Sequence, residues 1–527
     1  MRVRIGFIAG AAAVSVGLLW LTEIPLGVPG EWTWNRIRHD GDDALIVSVL
    51  GVFQALVMAA IYLAIAWFGL RYIDRAKRWQ VGTWLLALAI SAGSWLIAVQ
   101  ETPPEGYRLT KAPWVLYYPA MTGYFHKARY EISDTASFLH NYEKLMSGGD
   151  VLHVGTHPPG LFVLYRGLIS LTRGAPAVKQ FLLWSQPQSV RDGLDVIDDN
   201  LKPSRSLTDD DRAVLWLGAL LAHASVCWVL VPLFAIARQC ESRETAWKVI
   251  CFWPLIPAVS MFLPKDDVLF VGLVMTFLWS WLRAVHARGS ASAFGWGVIA
   301  GGCGLLGLCL SLVFLPIGLI AFIAAVFSWR LDRSDDSHQA SLSRTWRDIV
   351  KRAAPACIGG GAAIATGIVL AAMVLEINLL AVWRWNIRNH AAFYSQYPRT
   401  MWKWLPVNAI ELAFALGVPL AMLIGIAVLK SLRTSGDRVD VSRRASLLAV
   451  VGVWGILWLS GKNSGEAARL WIPLMPLAVW LLPAAVDSKS LNGNNVLTDR
   501  TWLSLLALQA VVCMLTVMRV SGFHFGG

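Results

Sequence analysis

Charged side chains are scarce in this chain of 527 residues: only 15% of the sequence is Asp, Glu, Lys or Arg, whereas 56% is hydrophobic. A soluble globular domain rarely has this balance, because about a quarter of its residues carry charge. Apolar runs of about 18 or more residues recur along the chain, and a run of that length can cross a bilayer as a helix. The composition therefore excludes a soluble protein and predicts an all-α polytopic membrane protein.

Cysteine is missing from the long polar segments, since all seven Cys lie within or beside apolar runs. We therefore predict neither a disulfide framework nor a cysteine-based zinc site. The chain also lacks solenoid repeats, long low-complexity tracts and an appended soluble domain that could bind a nucleotide. The net charge of +12 would suggest nucleic acid in a soluble protein. Here we assign it to Lys and Arg in loops on one side of the membrane, and expect no nucleic acid partner.

About thirteen segments are apolar enough to be predicted as membrane spans. They are roughly 5–22, 45–69, 81–99, 212–237, 246–263, 268–285, 294–311, 313–329, 354–376, 407–429, 445–461, 470–486 and 501–518. The strongly basic short loops between them all fall on one side if the N-terminus is cytoplasmic, as the positive-inside rule requires. This predicts a multi-pass protein of the plasma (inner) membrane, whose active face is periplasmic or extracellular.

The stretch 126–160 lies in the outer loop 100–211, the longest polar interval of the chain, and has four His and four acidic residues. Its pattern predicts an amphipathic helix that begins at Asp134, a good N-cap type, and ends at Gly148-Gly149. A second short helix is predicted after His157-Pro158-Pro159. Both helices are too short or too polar to span, so we expect them at the membrane interface. Asp134 is then either a capping residue or a functional carboxylate.

Two acidic residues, Asp266 and Asp267, follow Lys265 between two apolar segments. Adjacent carboxylates so close to hydrocarbon are costly unless they face a wet cavity or pair with a cation. They form either a tight polar turn or part of a site. His153 and His157 have the i,i+4 spacing of a metal pair, but Gly155 and the prolines argue against a helix there. Whether a divalent cation takes part stays open.

Cationic and aromatic residues alternate in the outer loop 377–406, and a smaller cluster of the same kind lies in 462–469. The cationic candidates are Arg384, Arg388, His390, Arg399, Lys403, Lys462 and Arg469. Two roles are possible for these residues. They could form an aromatic interface belt with snorkelling cations. They could also hold a lipid phosphate, for which Arg offers a forked set of donors.

The ordered set Asp134, Gly148-Gly149-Asp150 and His157-Pro158-Pro159, with a short apolar helix after it, resembles the first outer loop of GT-C fold glycosyltransferases. These include protein O-mannosyltransferases and the aminoarabinose transferases of lipid A. Their loop opens with an Asp-Glu pair, where this chain has Thr135 in the second position. The resemblance covers about 81–290 well, and SGEAARLWIPLMP further on resembles a segment of some actinobacterial membrane transferases.

The resemblance implies that Asp134 is the catalytic carboxylate and that Asp267 or Asp266 matches the second acidic residue of the family pattern. It implies a two-helix addition at 1–80, a GT-C-like catalytic core at 81–290 and C-terminal helices at 291–527.

The implied reaction moves a sugar from a polyprenyl-phosphate donor to a lipid, glycan or protein acceptor of the cell envelope, with inversion. His157 would help to position the donor phosphate. The alternative function is a transporter or flippase of lipid-linked sugars, which would use the same cations and aromatic residues but place its ionisable groups in mid-span.

Overall fold

The computed structural model describes the backbone of residues 5–39, 42–151, 155–331, 342–433, 438–461, 464–486 and 497–523. Within these ranges, the side chains of 42–48, 328–331, 342–352 and 438–442 are not described. Lys462 and His153 therefore lie outside the described residues. The described chain is almost entirely helical, which confirms the all-α polytopic membrane class.

The longer helices form the membrane body, because each is a continuous apolar run with polar or Gly residues at its ends. They are α1 (Ile5–Leu21), α2 (Asp42–Tyr72), α3 (Arg78–Gln100), α11 (Asp209–Trp228), α12 (Leu230–Ala237), α15 (Asp266–Val285), α16 (Ser290–Leu310), α17 (Phe314–Leu331), α18 (Leu342–Val374), α20 (Met401–Leu416), α21 (Val418–Arg433), α22 (Arg438–Leu459) and α26 (Asp499–Arg519).

The remaining helices include those of the outer loop 100–211. They are α4 (Lys111–Tyr117), α5 (Tyr124–Tyr130), α6 (Thr135–His140), α7 (Tyr142–Ser147), α8 (Gly160–Gly174), α9 (Pro176–Trp184), α10 (Gln188–Asp199), α13 (Arg243–Ile250), α14 (Pro257–Phe262), α19 (Leu379–Gln396), α23 (Ala467–Leu470), α24 (Met475–Val479) and α25 (Pro483–Val486). The predicted helix after Asp134 divides into α6 and α7 at Asn141. The second predicted helix, α8, begins directly after the two prolines.

The number of spans is smaller than the sequence predicts. Among the described residues, seven helices are long and apolar enough to cross a membrane, or eight if α20 and α21, bent by 110°, form one span. Helices α1 and α17 are shorter apolar helices. The segments predicted as spans at 246–263 and 470–486 are broken into short turns of helix.

Proline and burial explain the two broken segments. Pro254 and Pro257 interrupt the first, and Pro473, Pro476 and Pro483 interrupt the second, because proline cannot donate the helical hydrogen bond. Residues 245–264 and 471–479 are buried almost without exception. Their apolar side chains therefore face protein rather than lipid, which is where irregular backbone is tolerated at membrane depth. Apolar composition alone does not distinguish these two environments.

Two small antiparallel strand pairs fasten the N-terminal segment to the rest of the chain. Strand β1 (Gly27–Val28) pairs with β2 (Trp32–Thr33), and β3 (Asn35–Arg36) pairs with β4 (Val520–Ser521) at the end of α26. Residues 22–39 thus lie at the same end of the bundle as the outer loop and the start of α15; we call this end the site face. The three-region division of the chain stays a prediction.

Glycines allow α16 and α18 to pack with their backbones in contact. A Cβ added at Gly297 would lie 2.3 Å from the Ala356 carbonyl oxygen, and one at Gly301 would lie 2.3 Å from that of Gly360. Gly302, the next residue, has no heavy atom within 4 Å of the same position. Small residues at this spacing are a common basis of helix association in membranes.

We expect Gly301→Leu to lower the stability of the protein by about 1–3 kcal/mol, because the new side chain must push two backbones apart. Gly302→Leu makes the same change of helix propensity on an open face and should leave the thermal midpoint unchanged or raised. Tryptophan fluorescence during heating of the detergent-purified protein measures both. Equal midpoints for the two variants would contradict the close α16–α18 contact.

Candidate functional site

Two buried carboxylates stand at the N-terminal end of α15. Asp266 is only 6% exposed, and Asp267 is 15% exposed. The first turn of a helix favours negative charge because its N–H groups lack helical partners. One carboxylate oxygen of Asp266, Oδ2, is buried and has no hydrogen-bond partner among the described residues. A buried oxygen of this kind is costly in a purely structural turn, so we interpret the pair as part of a site.

Arg469 of α23 meets these carboxylates from the other end of the chain. Its Nε lies 3.4 Å from Oδ2 of Asp267, and its Nη2 lies 3.1 Å from Oε1 of Glu466. The Nε–Oδ2 distance is within ion-pair range, but Nε makes no aligned hydrogen bond. A predicted carboxylate and a predicted phosphate-binding cation are thus brought together. The guanidinium has donor capacity that the protein does not fully use.

A buried lysine, Lys111, and a partly buried one, Lys265, connect the outer loop to the segment before α15. Lys265 Nζ donates to the carbonyl of Met121, and Lys111 Nζ donates to that of Met261 at 3.2 Å. Burial lowers the pKa of Lys111 to about 7, with Glu101 acting in the opposite direction. Burial and the neighbouring Arg469 lower the pKa of Lys265. These contacts fix the outer loop against the carboxylates. Sequence reasoning missed Lys111, because no motif marks it.

His157 reaches the same region through an aromatic neighbour. Its ring packs edge-to-face on Tyr124 at 5.8 Å, its backbone carbonyl accepts a 2.7 Å hydrogen bond from Tyr142, and its Nδ1 lies 3.1 Å from Thr156 Oγ1. Tyr124 is buried, and burial together with the charges of Asp266 and Asp267 raises its pKa well above the usual value. Sequence reasoning missed Tyr124, which links His157 to the carboxylates.

Asp134 is the N-cap of α6, as its residue type predicts. Its Oδ2 accepts a 2.7 Å hydrogen bond from the Ser137 N–H, and the residue is exposed. It makes no ion pair with any of the described residues. The guanidinium of Arg166 lies nearby and donates to the carbonyl of Ser133 at 3.4 Å. The structure therefore gives Asp134 a capping contact and an open carboxylate, and its catalytic role stays a prediction.

The remaining predicted cations belong to two separate groups. Arg384 and Arg388 are exposed on α19, where Arg388 lies 5.0 Å from the ring of Trp385, and His390 is half-buried on the same helix. Arg399 and Lys403 instead converge on Glu31, with Arg399 Nη1 donating to its carbonyl at 2.9 Å and Lys403 Nζ lying 3.9 Å from its Oε1. Among the predicted cations that the structure describes, Arg469 alone forms an ion pair with Asp267.

Glu31 organises the start of α20, although no motif marks it in the sequence. Its Oε2 accepts hydrogen bonds from the Thr400 N–H at 2.8 Å and from Trp404 Nε1 at 2.7 Å. Hydrogen bonding to Thr400, together with the bond from Trp404 and the charge of Lys403, lowers the pKa of Glu31 in spite of its burial.

Gly465, whose φ of +84° suits glycine, packs close to Arg399 and Trp404. The Glu31 group thus adjoins the 464–470 segment that carries Arg469.

Asparagines on α19 hold the loop that carries His157. Asn386 Nδ2 donates to the Thr156 carbonyl at 2.5 Å, and Asn389 Nδ2 donates to the carbonyls of Met146 and Gly155 at 2.9 Å each. Both are buried, whereas Arg384 and Arg388 on the same helix are exposed. Helix α19 therefore presents its amide side chains to the loop and its cationic side chains to the outside. The i,i+3 spacing of the two asparagines is the sequence pattern that could have predicted this contact.

The described part of the chain contains no set of ligands for a metal ion. No three His, Cys, Asp or Glu side chains there approach one another closely enough to hold an ion. Because His153 lies outside that part, the His153–His157 pair stays untested, and so does the participation of a divalent cation.

Comparison with known proteins gives one result. No family model matches the chain, and no curated protein matches it. Among solved structures, the chain is similar to the crystal structure of ArnT from Cupriavidus metallidurans bound to undecaprenyl phosphate, with 12% sequence identity and a TM-score of 0.38, over 78% of this chain and 75% of that chain. ArnT is a GT-C aminoarabinose transferase, of the class that the outer-loop motif resembles. A likeness at this TM-score places no residue and no ligand in this chain.

Glu31 should make stability depend on pH in a defined direction. Its pKa is lowered in the folded state, so its contribution is present above the ordinary value of 4.5 and is lost as the pH falls through the lower folded value. We expect Glu31→Gln to lose about 1 kcal/mol at pH 7 and to show a smaller further loss than the wild type below pH 4.5.

Thermal midpoints of the detergent-purified protein between neutral and acidic pH measure this difference. The matched control is Glu105→Gln, since Glu105 is exposed in the outer loop 100–211. If Glu31→Gln and Glu105→Gln follow the wild-type pH profile equally, the Glu31 contacts do not stabilise the start of α20.

Proposed function

We propose that this protein is a membrane glycosyltransferase that moves a sugar from a polyprenyl-phosphate donor to a cell-envelope acceptor at the site face. The observation that carries the proposal is the buried Asp266–Asp267–Arg469 cluster at the start of a membrane-spanning helix. It offers carboxylates that can orient a hydroxyl group or hold a cation, and a guanidinium that can bind phosphate, within one small region. Its position suits a substrate with a charged head and a hydrocarbon tail. We place the site face on the periplasmic or extracellular side of the inner membrane.

An apolar cavity beside the cluster supports an amphiphilic donor. It has a volume of about 260 Å³ and is lined mainly by α1, α20 and the segment after α1, with Trp34 and Glu411 among its lining residues. A second cavity of about 490 Å³ continues along α1 and shares Leu18 and Phe414 with the first. Trp34 Nε1 donates to Glu411 Oε1 at 2.6 Å, and Glu411 lies beside the backbone of Ala468. A chain lying in this groove would end next to the residue before Arg469.

Arg469 is the residue to which we assign the donor phosphate. Its fork can bond two phosphate oxygens at once, and its Nε is not fully engaged by Asp267. On binding, the phosphate would take over part of the charge pairing that Asp267 now provides. As the glycosidic bond breaks, the same guanidinium would stabilise the charge that develops on the leaving phosphate. Further phosphate contacts are proposed for Arg384, Arg388, His390, Arg399, Lys403 and Lys462, and His157 would help to position the head group.

The acceptor hydroxyl needs a base that removes its proton as the new bond forms. We assign this role to Asp134, whose carboxylate is open to solvent at the start of α6, and we assign to Asp267 and Asp266 the orientation of the acceptor or of a cation. A base acting opposite the leaving phosphate gives inversion at the anomeric carbon. Because Asp267 is buried against Arg469 while Asp134 is exposed, the two assignments can be separated by substitution.

We expect Asp134→Asn to lower the release of polyprenyl phosphate by roughly 100-fold or more, because the amide cannot accept the proton. Asp150→Asn, in the same loop after the Gly-Gly turn, is the matched control and should retain most activity. The assay combines purified protein, a polyprenyl-phosphate sugar and an acceptor extract, and quantifies released polyprenyl phosphate. Near-normal turnover of Asp134→Asn with loss in Asp267→Asn would move the base to α15. Transport of the donor across vesicles without bond cleavage would favour the flippase instead.

The Arg469→Lys variant tests whether phosphate binding needs the forked geometry of the guanidinium or only its positive charge. Lysine keeps the charge but loses the fork, so we expect kcat/KM for the donor to fall roughly tenfold or more, which corresponds to one charge-assisted hydrogen bond. Arg191→Lys is the control, since Arg191 is exposed on α10 away from the carboxylates. Steady-state kinetics with varied donor measure both variants. Unchanged donor kinetics in Arg469→Lys would remove Arg469 from the phosphate site.

A further inference from the structure

A polar cavity lies at the opposite end of the molecule from the site. Helix α15 has 20 residues, from Asp266 on the site face to Val285, and is therefore about 30 Å long. There, a cavity of about 390 Å³ opens between the ends of three helices. We call it the α15–α16 pocket, and its lining residues are Gln239, Cys240, Arg283, His286, Arg288 and Trp296, together with Ala287 and Ser292.

The pocket concentrates positive charge without matching negative charge. Arg283 and Arg288 make no ion pair with any described residue. The acidic residue beside Cys240 is Glu241, and its carboxylate is already bound by Arg443 through two hydrogen bonds of 2.7 Å. The two arginines therefore face a cavity in which their charge is not neutralised by the described protein, and an anion would satisfy both.

Two of the lining side chains, Arg283 and His286, are positioned by their neighbours. The Arg283 guanidinium lies 5.3 Å from the ring of Trp296, a cation–π contact that orients its plane. His286 Nδ1 bonds the Leu282 carbonyl at 2.8 Å, which fixes the ring at the end of α15. The first turn of α16 begins at Ser290 and adds its N–H groups to the same wall. This combination of an oriented arginine, a second arginine and a helix start suits a phosphate group.

The location of the pocket identifies the source of that phosphate. Both α15 and α16 are long and apolar enough to span the membrane, so the turn between them lies at the membrane surface. Below the pocket, Phe294 and Val298 of α16 are 43% and 38% exposed. They offer apolar contact to an acyl chain on the membrane side of the cations. We propose that the α15–α16 pocket binds the phosphate headgroup of an anionic phospholipid.

Thermal stabilisation of the full-length protein in detergent by added lipid tests this site. Phosphatidylglycerol should raise the thermal midpoint of the wild type, whereas phosphatidylcholine and inorganic phosphate should not. In the double variant Arg283→Gln/Arg288→Gln the apparent affinity for phosphatidylglycerol should fall roughly 30-fold, as expected for the loss of two interfacial arginines. Arg75→Gln is the matched control, because Arg75 is an exposed arginine at the same end of the bundle and should keep the wild-type affinity.

An unchanged phosphatidylglycerol response in the double variant would overturn the proposal. Equal stabilisation by inorganic phosphate would overturn the assignment to a lipid. The exposed Cys240 provides a second measurement on the wild type, so the test does not depend on the variant folding. Phosphatidylglycerol should slow alkylation of Cys240 and leave that of Cys357, exposed on α18, unchanged. A midpoint shift without protection of Cys240 would place the lipid elsewhere and refute the pocket.

Discussion

The contact between Asp267 and Arg469 is the constraint on which the rest of the site face depends. Transferring charges of either sign out of water costs several kcal/mol for each ion, and an ion pair offsets that cost only when its geometry is good. Here the pairing is incomplete, since Arg469 Nε lacks an aligned hydrogen bond and one oxygen of Asp266 is unpartnered. Lys265, Tyr124, Glu466 and the outer loop nevertheless surround this cluster and keep it in place. Maintaining an unsatisfied charged cluster is expected where a ligand completes it.

The broken apolar segments explain how the chain reaches this cluster. Residues 245–264 lead into Lys265, and residues 471–479 lead away from Arg469. Continuous helices there would carry the backbone straight through the membrane. Short helices joined by prolines let the chain turn at the site face while remaining buried in protein. The departure from the predicted number of spans and the existence of the site therefore have one structural cause.

Sequence reasoning succeeded where the signal is local. The start of α8 after two prolines and the N-cap role of Asp134 follow from residue types within a few positions. The convergence of loops on one face followed from counting basic residues. It failed for Glu31 and Tyr124, whose partners lie far away in the chain and include backbone groups as well as side chains. The Thr400 N–H that binds Glu31 is a backbone group and leaves no residue pattern. The ring contacts of Tyr124 with His157 and Phe162 join residues more than 30 positions apart, so Tyr124 could not be distinguished from an ordinary core tyrosine.

Helix α15 has opposite charges at its two ends, with Asp266 and Asp267 in the first turn and Arg283 in the last. This is the arrangement that the helix dipole favours, and it gives one rigid element a carboxylate site on one membrane face and a cationic pocket on the other. Coupling between two sites requires an element with two arrangements that both sites bias. Helix α15 is continuous and packs against α11, α16 and α17, so the structure shows it in a single arrangement. A lipid bound at the α15–α16 pocket would therefore fix the depth of α15 in the bilayer, and with it the height of the carboxylates above the hydrocarbon, rather than switch the site on or off.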